Sequence, residues 1–346
     1  MSEDLPKISV VSTLYNADKY LKDCFESILS QDYEDFELVA VINGVSSDLT
    51  EKIVLDYAKQ DMRIKVVYNR KAVSSVGEGL ELGLKEMTGE YFTIIDGDDI
   101  LFPGALRELM DHAKRSDSDI VVGNILRISM DGAVCGEIGL PDFSSMSRND
   151  YLEKSVWYMD FLYHGKLYNA ELLREYDITY LPVLVGMDML LHYQFVWHAK
   201  KITRCKNNVH GYRVNTSSTT RTMTLAKLQD SFSCYLFLDR LFEKEGFYTD
   251  EEIMCGFKSQ GLILIAGCLL QGGKGFYKQY VHDIDDLIKG GVFRAEKVQK
   301  YLKGWPVYYF VLSIYRLNIT IGNMFCFLLN QIRTSNFRFL IRKFNM

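Results

Sequence analysis

Between Ile8 and Val122 the sequence alternates short apolar runs with amphipathic stretches, and that alternation restricts the chain to one broad kind of architecture. Ile8–Thr13, Phe36–Ile42, Arg63–Tyr68, Tyr91–Ile95 and Ile120–Val122 read as strands. Between them, Asp18–Ser30 sets Tyr20, Leu21, Cys24, Phe25, Ile28 and Leu29 at helical spacing, and Asp48–Lys59 and Leu80–Met87 read as further helices. Pro103 is expected to open another helix, carrying Leu106, Leu109 and Met110, because a missing amide proton costs nothing in a first turn. Strand–helix units of this length imply a parallel α/β sheet covered on both faces. Crossover handedness then fixes much of the topology. The first strand runs into Thr13-Leu14-Tyr15-Asn16 rather than a GxGxxG turn, which argues against a dinucleotide-binding domain.

Beyond residue 125 the pattern becomes mixed. Asp131-Gly132 reads as a hairpin turn. Asn149–Asp160, Ala170–Tyr176 and Gly186–His198 are helix candidates. From about Thr222 the chain turns helical, with long segments at Leu225–Glu245 and Glu251–Leu270 and shorter ones at Asp283–Ile288 and Glu296–Leu302. A boundary near residue 220 therefore separates residues 1–220 from a helical C-terminal region, 221–346.

The end of the chain has a chemistry of its own. Trp305–Leu329 carries Arg316 as its only charge, and no acidic residue follows Glu296, whereas Lys297, Lys300, Lys303, Arg316, Arg333, Arg338, Arg342 and Lys343 do. Two readings fit. In one, an interfacial helix and the basic, aromatic Arg333–Lys343 segment meet an anionic membrane surface. In the other, a helix hairpin packs on the protein or on a second copy. The net charge of −5 speaks against a nucleic-acid binder. The seven Cys form no CxxC pair, which argues against a structural zinc site, and their odd number with the chain length argues against a disulfide scaffold and for a reducing compartment. The opening MSEDLPKISVV lacks the form of a signal peptide, so the expected location is cytoplasmic, including the inner face of the cell membrane.

One segment carries chemistry. Ile94-Ile95-Asp96-Gly97-Asp98-Asp99 gathers carboxylates directly after a buried strand. Like charges there raise one another's pKa unless a cation compensates. A hard divalent cation with phosphate oxygens is the natural partner. If the segment stays extended, Asp96 and Asp98 point one way and Gly97 the other. Ligands of open α/β sheets bind beyond the carboxyl ends of strands, where this cluster falls. The bland alternative is a polar turn that caps the next helix.

The order of motifs resembles family 2 glycosyltransferases of the GT-A fold from Pro6 to about Ser218. Pro6-Lys7-Ile8-Ser9-Val10-Val11-Ser12-Thr13-Leu14-Tyr15-Asn16 is similar to the family's opening strand and nucleotide loop, and Tyr20-Leu21 and Ser27-Ile28-Leu29-Ser30-Gln31 to its first helix. The strongest match is Thr88-Gly89-Glu90-Tyr91-Phe92-Thr93-Ile94-Ile95-Asp96-Gly97-Asp98-Asp99, closed by Pro103. Lys166-Leu167-Tyr168, Gly186-Met187-Asp188, and His210-Gly211-Tyr212-Arg213 with Ser217-Ser218 resemble the acceptor-side half.

The resemblance implies a Rossmann-like mixed sheet followed by a helical region, and an inverting, metal-dependent sugar transferase of polysaccharide or glycoconjugate biosynthesis. It places Asp188 as the base that deprotonates an acceptor hydroxyl. Thr13, Tyr15, Asn43, Asp96 and Asp98 fall to the nucleotide-sugar, and Asp98 to a Mn2+ or Mg2+ ion. Asp99, Lys166 and Arg213 become acceptor contacts or supports, and His210 a further metal ligand or acceptor contact. The implied partners are a nucleotide-diphospho-sugar, a UDP-sugar by default, and a saccharide or lipid-linked glycan. The logic holds without the label, because a nucleoside diphosphate leaves with charge that a metal stabilises and the hydroxyl needs a carboxylate in reach.

Three stretches depart from the family pattern. Ile42 and Asn43 stand where carboxylates are common, and Asn43 retains a donor and an acceptor for a base edge. Ala72-Val73-Ser74-Ser75-Val76-Gly77-Glu78-Gly79-Leu80 lacks the expected arginine, leaving Arg70 or Lys71 as cations for the diphosphate. Met187 precedes the base where an acid often stands. The competing reading is a GT-A scaffold without activity that binds partners.

Overall fold

The computed structural model describes residues 6–71, 75–140, 142–158, 161–214, 224–289 and 291–334. The Ser217-Ser218 pair and most of the Arg333–Lys343 segment lie outside them. The chain divides into two compact units, Met1–Arg221 and Thr222–Met346.

In chain order the first unit comprises β1 (Ile8–Leu14), α1 (Asp18–Leu29), β2 (Phe36–Asn43), α2 (Thr50–Ala58), β3 (Ile64–Asn69), α3 (Val76–Glu86), β4 (Tyr91–Ile94), β5 (Ile100–Leu101), α4 (Ala105–Ser116), β6 (Ile120–Ile128), β7 (Val134–Glu137), β8 (Ser145–Ser147), α5 (Arg148–Tyr158), β9 (Lys166–Asn169), α6 (Glu171–Arg174), α7 (Met187–His198) and β10 (Lys201–Arg213). The strands form one sheet in the order β3-β2-β1-β4-β9-β6-β10-β5, with β7 on β6 and β8 on β10. β3, β2, β1 and β4 are mutually parallel, as the strand–helix alternation requires. Every residue of β2 is buried, the mark of a strand covered on both faces.

The remainder of the sheet is mixed. β9 enters between β4 and β6 and runs antiparallel to both, and β10 pairs parallel with β6. This is a GT-A-type sheet flanked by helices. Gly132 has φ 86° in the tight turn that joins β6 to β7, where the sequence placed a hairpin.

Two helix starts differ from the sequence reading. α3 begins at Val76 rather than Leu80, because Ser75 and Glu78 form a reciprocal capping box that satisfies the first amides. Its glycines let it lie directly on the sheet. A Cβ at Gly83 would come within 2.7 Å of Val11 and 2.9 Å of Val41. α4 begins at Ala105; Pro103 stands in the turn before it, and Gly104 reaches the helix with φ 78°.

The second unit is helical: α8 (Leu225–Lys244), α9 (Glu251–Gln279), α10 (Val281–Lys289), α11 (Glu296–Leu302), α12 (Pro306–Leu317) and α13 (Ile319–Thr334). Aromatic packing joins α8 to α9. Tyr235 stacks on Phe257 at 5.0 Å, and Gly261 leaves room for the Tyr235 ring. The expected Glu251–Leu270 helix extends to Gln279, with one non-helical residue at Gly273. Among the described residues it is the helix long and apolar enough to cross a membrane, yet 78% of its most apolar window is buried in the protein. The apolar Trp305–Leu329 stretch is not one helix. It breaks at Asn318, whose φ of −158° and ψ of 117° are extended, and Leu317 beside the break is 86% exposed.

Candidate active site

The site grows from the carboxyl end of β4. Asp96 to Asp99 close a tight turn in which the Asp99 amide donates to the Asp96 carbonyl at 3.1 Å. The segment is therefore not extended, and simple alternation does not set the directions of its carboxylates. Gly97 is required by packing: a Cβ there would sit 2.7 Å from Leu14 Cδ2 and 3.2 Å from Ala17 Cβ. The turn thus leans on the end of β1 and the start of α1. The Cys24 thiol on α1 donates to the Asp96 carbonyl at 3.6 Å.

β10 braces the turn from the other side. His210 Nε2 lies 2.8 Å from Asp99 Oδ2, and the Arg213 amide donates to Asp99 Oδ1 at 2.8 Å. The Arg213 side chain is buried. Its Nε donates to the Asp98 carbonyl at 2.7 Å, and Nη1 donates to the carbonyls of Ser129 and Met130. Nη2 pairs with Asp23 at 3.3 Å, and the guanidinium covers the Tyr20 ring at 4.5 Å. Both carboxylate oxygens of Asp99 and the guanidinium of Arg213 are thus engaged within the protein.

His164 was not singled out from the sequence, although it stands two residues before the quoted Lys166-Leu167-Tyr168. Its Nε2 lies 3.2 Å from Asp96 Oδ2, an ion-pair approach that is not aligned as a hydrogen bond. Burial pushes the His164 imidazole down, but the charges of Asp96, Asp99 and Asp188 outweigh it and hold it at about 9. Reciprocally, burial pushes Asp96 up, and the charges of His164 and His210 bring it below the usual carboxylate range. His210 is shifted down, burial outweighing its bond to Asp99. Asp96 keeps 41% of its side-chain surface exposed.

Asp188 sits in the first turn of α7, after Gly186 with φ 95°. Its Oδ1 accepts the Met189 amide at 2.9 Å. Burial pushes its carboxyl above the ordinary range, against the Met189 amide and the His164 charge, while Asp96 adds to the rise. The charges of Asp96 and Asp99 from one turn and of Asp188 from α7 thus all act on His164. Further along α7, His192 is fully buried between the hydroxyls of Tyr151 and Tyr168 at 3.1 and 3.0 Å.

The other expected site residues are distributed as follows. Tyr15 is 56% exposed and Thr13 half-buried at the end of β1. Asn43 is buried; its amide donates to the Ser75 carbonyl at 2.9 Å and accepts from Asn69 at 3.0 Å. It joins the ends of β2 and β3 to the start of α3, which engages the donor and acceptor expected to read a base. Arg70 covers the Tyr68 ring, and Lys71 pairs with Glu78 of the capping box. Lys166 is no surface charge: its side chain is fully buried and donates to the Leu162 carbonyl at 2.5 Å.

Donor atoms of Asp99, His164 and His210 lie within 4.8 Å of one another. Carboxylate and imidazole ligands suit a divalent ion. Nδ1 of both histidines is buried without a protein partner. Asp99 and His210 satisfy one another, while Asp96 and Asp98 are only partly buried.

The family model described as glycosyl transferase family 2 matches residues 9–176. A Haemophilus influenzae protein named an uncharacterized glycosyltransferase is 29% identical over 184 residues, 51% of this chain and 56% of its own length. A Campylobacter jejuni protein named GalNAc(5)-diNAcBac-PP-undecaprenol beta-1,3-glucosyltransferase is 34% identical over 151 residues, 43% of this chain and 48% of its own. The chain thus spans about half the length of these two curated relatives. Among solved structures, S. aureus TarS 1–349 superposes with a TM-score of 0.67 at 18% identity, covering 96% of this chain and 93% of that one. The same protein in complex with UDP-GlcNAc superposes at 0.62.

Proposed function

We propose, for a chain whose residues 9–176 constitute a family 2 glycosyltransferase domain, that it moves a sugar with inversion from a nucleotide-diphospho-sugar to a hydroxyl acceptor during polysaccharide or glycoconjugate assembly. The observation that carries this reading is the approach of His164 Nε2 to Asp96 Oδ2 at 3.2 Å in the acidic turn, with the Asp188 charge acting on the same imidazole. Asp188, whose carboxyl burial raises, stands in the first turn of α7 and supplies the general base in this reading.

In this reading the Asp188 carboxylate takes the proton of the acceptor hydroxyl as that oxygen attacks the anomeric carbon. Asp96 and Asp98 hold the nucleotide-sugar, and Asp98, with Asp96 beside it, would hold Mn2+ or Mg2+. Such an ion, when bound, offsets the charge that develops on the leaving diphosphate. The carboxylates of Asp96, Asp98 and Asp188 outnumber the cations of His164 and Arg213 beside them, which favours a cation there. Thr13 and the exposed Tyr15 flank the nucleotide. Asn43, Asp99, Lys166 and Arg213 shape the pocket from behind through their buried bonds. The UDP-GlcNAc complex of the similar TarS fold supports a uridine donor. The undecaprenol-linked substrate in the Campylobacter relative's name supports a lipid-linked acceptor.

A lipid-linked acceptor suits peripheral contact with an anionic membrane at the cytoplasmic face. Trp305, Val307, Phe310, Leu317, Ile321 and Met324 are exposed on α12, α13 and their junctions, and the sequence around and after them is basic.

Turnover of a panel of UDP-, GDP- and dTDP-sugars by the purified chain, with and without manganese, tests the transferase reading. Metal-dependent release of nucleoside diphosphate that Asp188→Asn slows by roughly a hundredfold or more is expected. Absence of turnover across the panel, with nucleotide still bound, would leave the non-catalytic scaffold instead.

A further inference from the structure

A second group of metal-capable side chains lies on the interface between α4 and β10. Glu108 and His112 are one helical turn apart on α4 and share a face. Cys205 reaches them from β10, and ligand atoms of all three lie within 4.8 Å of one another. We propose that Glu108, His112 and Cys205 form a second cation site, which takes a borderline-soft divalent ion such as Zn2+ with water as the remaining ligand.

Several features suit the site to this ion. Carboxylate, imidazole and thiolate are the ligand types zinc takes, and three protein ligands with an open position are a common zinc arrangement. Bond lengths of such a site place the donor atoms about 3.5 Å apart, so the three need only a small closure. Glu108 and His112 are half-buried and can supply it, whereas Cys205 is fixed in the core.

The strand around Cys205 is irregular. β10 leaves its ladder with β6 between Arg204 and Asn208, and Cys205 stands in that stretch. An ion bound there takes Cys205 as thiolate, and its binding releases the thiol proton to solvent.

His112 has a matching contact. Its Nδ1 lies 3.1 Å from the Glu108 carbonyl, the arrangement that makes Nδ1 the proton-bearing nitrogen and leaves Nε2 as ligand. Arg115 Nη2, on an exposed side chain, lies 3.1 Å from the same Nδ1 and favours the opposite tautomer. Ion binding therefore displaces the Arg115 contact. An ion held here would tie α4 to the strand that continues into His210 and Arg213. The proposal stands independently of the transferase reading. Cysteine spacing spoke against zinc because it registers only ligands close in sequence; these come from two distant elements.

The test uses the full chain stripped of metal and titrated with Co2+, then Zn2+. A thiolate-to-cobalt charge-transfer band, displaced by zinc, is expected. It should persist in Asp98→Asn and vanish in Cys205→Ser and His112→Gln, with zinc affinity in His112→Gln down about tenfold or more. His112→Gln keeps the buried thiol, so it decides the matter if Cys205→Ser misfolds. No thiolate band in the native chain, or one unchanged in His112→Gln, overturns the proposal.

Discussion

His210 Nε2 lies 2.8 Å from Asp99 Oδ2, and solvent reaches neither side chain. The last carboxylate of the acidic turn is thereby committed to holding the turn on β10. Asp99→Ala leaves a buried imidazole nitrogen and the Arg213 amide without their acceptor. We expect a loss of about 1–3 kcal/mol in urea unfolding. Asp99→Asn keeps an acceptor oxygen and should lose less; equal losses would show that the carboxylate's bonds are not the cause.

Arg213 reaches the Asp98 carbonyl, two further carbonyls and Asp23 through its planar fork. A lysine cannot reproduce that fork. Arg213→Lys should keep the net charge yet lower both thermal stability and turnover. An unchanged melting temperature and rate would mean that charge alone matters at this position.

Asp188→Asn removes the proposed base while leaving the residues of the Asp96–Asp99 turn unchanged. Its kcat should fall roughly 10²- to 10⁴-fold, with nucleotide affinity by calorimetry nearly unaltered. A parallel loss of nucleotide binding would reassign Asp188 to holding the donor.

Treatment with a chelator should abolish transfer, and Mn2+ or Mg2+ should restore it in the native chain but not in Asp98→Asn. Full activity in the chelated protein would remove the metal from the mechanism.

Away from the site, Glu37 supplies a pH-dependent contribution to stability. Burial pushes its carboxyl up, but bonds from Ser9 and Thr88 and the charge of Lys7 outweigh it and hold it below its ordinary range. A lowered folded pKa contributes stability above the unfolded value, lost as pH falls through the folded one. Unfolding free energy should therefore decline as pH falls below about 4.5, more steeply in the native chain than in Glu37→Gln. Identical acid slopes in the two proteins would contradict this.

The parallel half of the sheet was legible in the sequence because strands such as Phe36–Asn43 are buried on both faces and read as continuous apolar runs. The start of α3 is set by the Ser75–Glu78 capping box, a signal present in the sequence that lies ahead of the apolar spacing from Leu80 onward. The break at Asn318 was legible only as a polar interruption. Composition reports how apolar a stretch is, not whether its backbone stays helical.

The sequence by itself determined the acidic turn, its place after a buried strand and the motif order around Asp188. These depend on local residue types and on spacing along the chain. Only the tertiary structure decided which carboxylates are open and which are spent. β10 returns from far along the chain to occupy Asp99 with His210 and Arg213, while β9 enters antiparallel beside β4 and the residues before it bring His164 to Asp96. Such pairings follow from strand order, and strand order is a property of the folded sheet that sequence spacing does not carry.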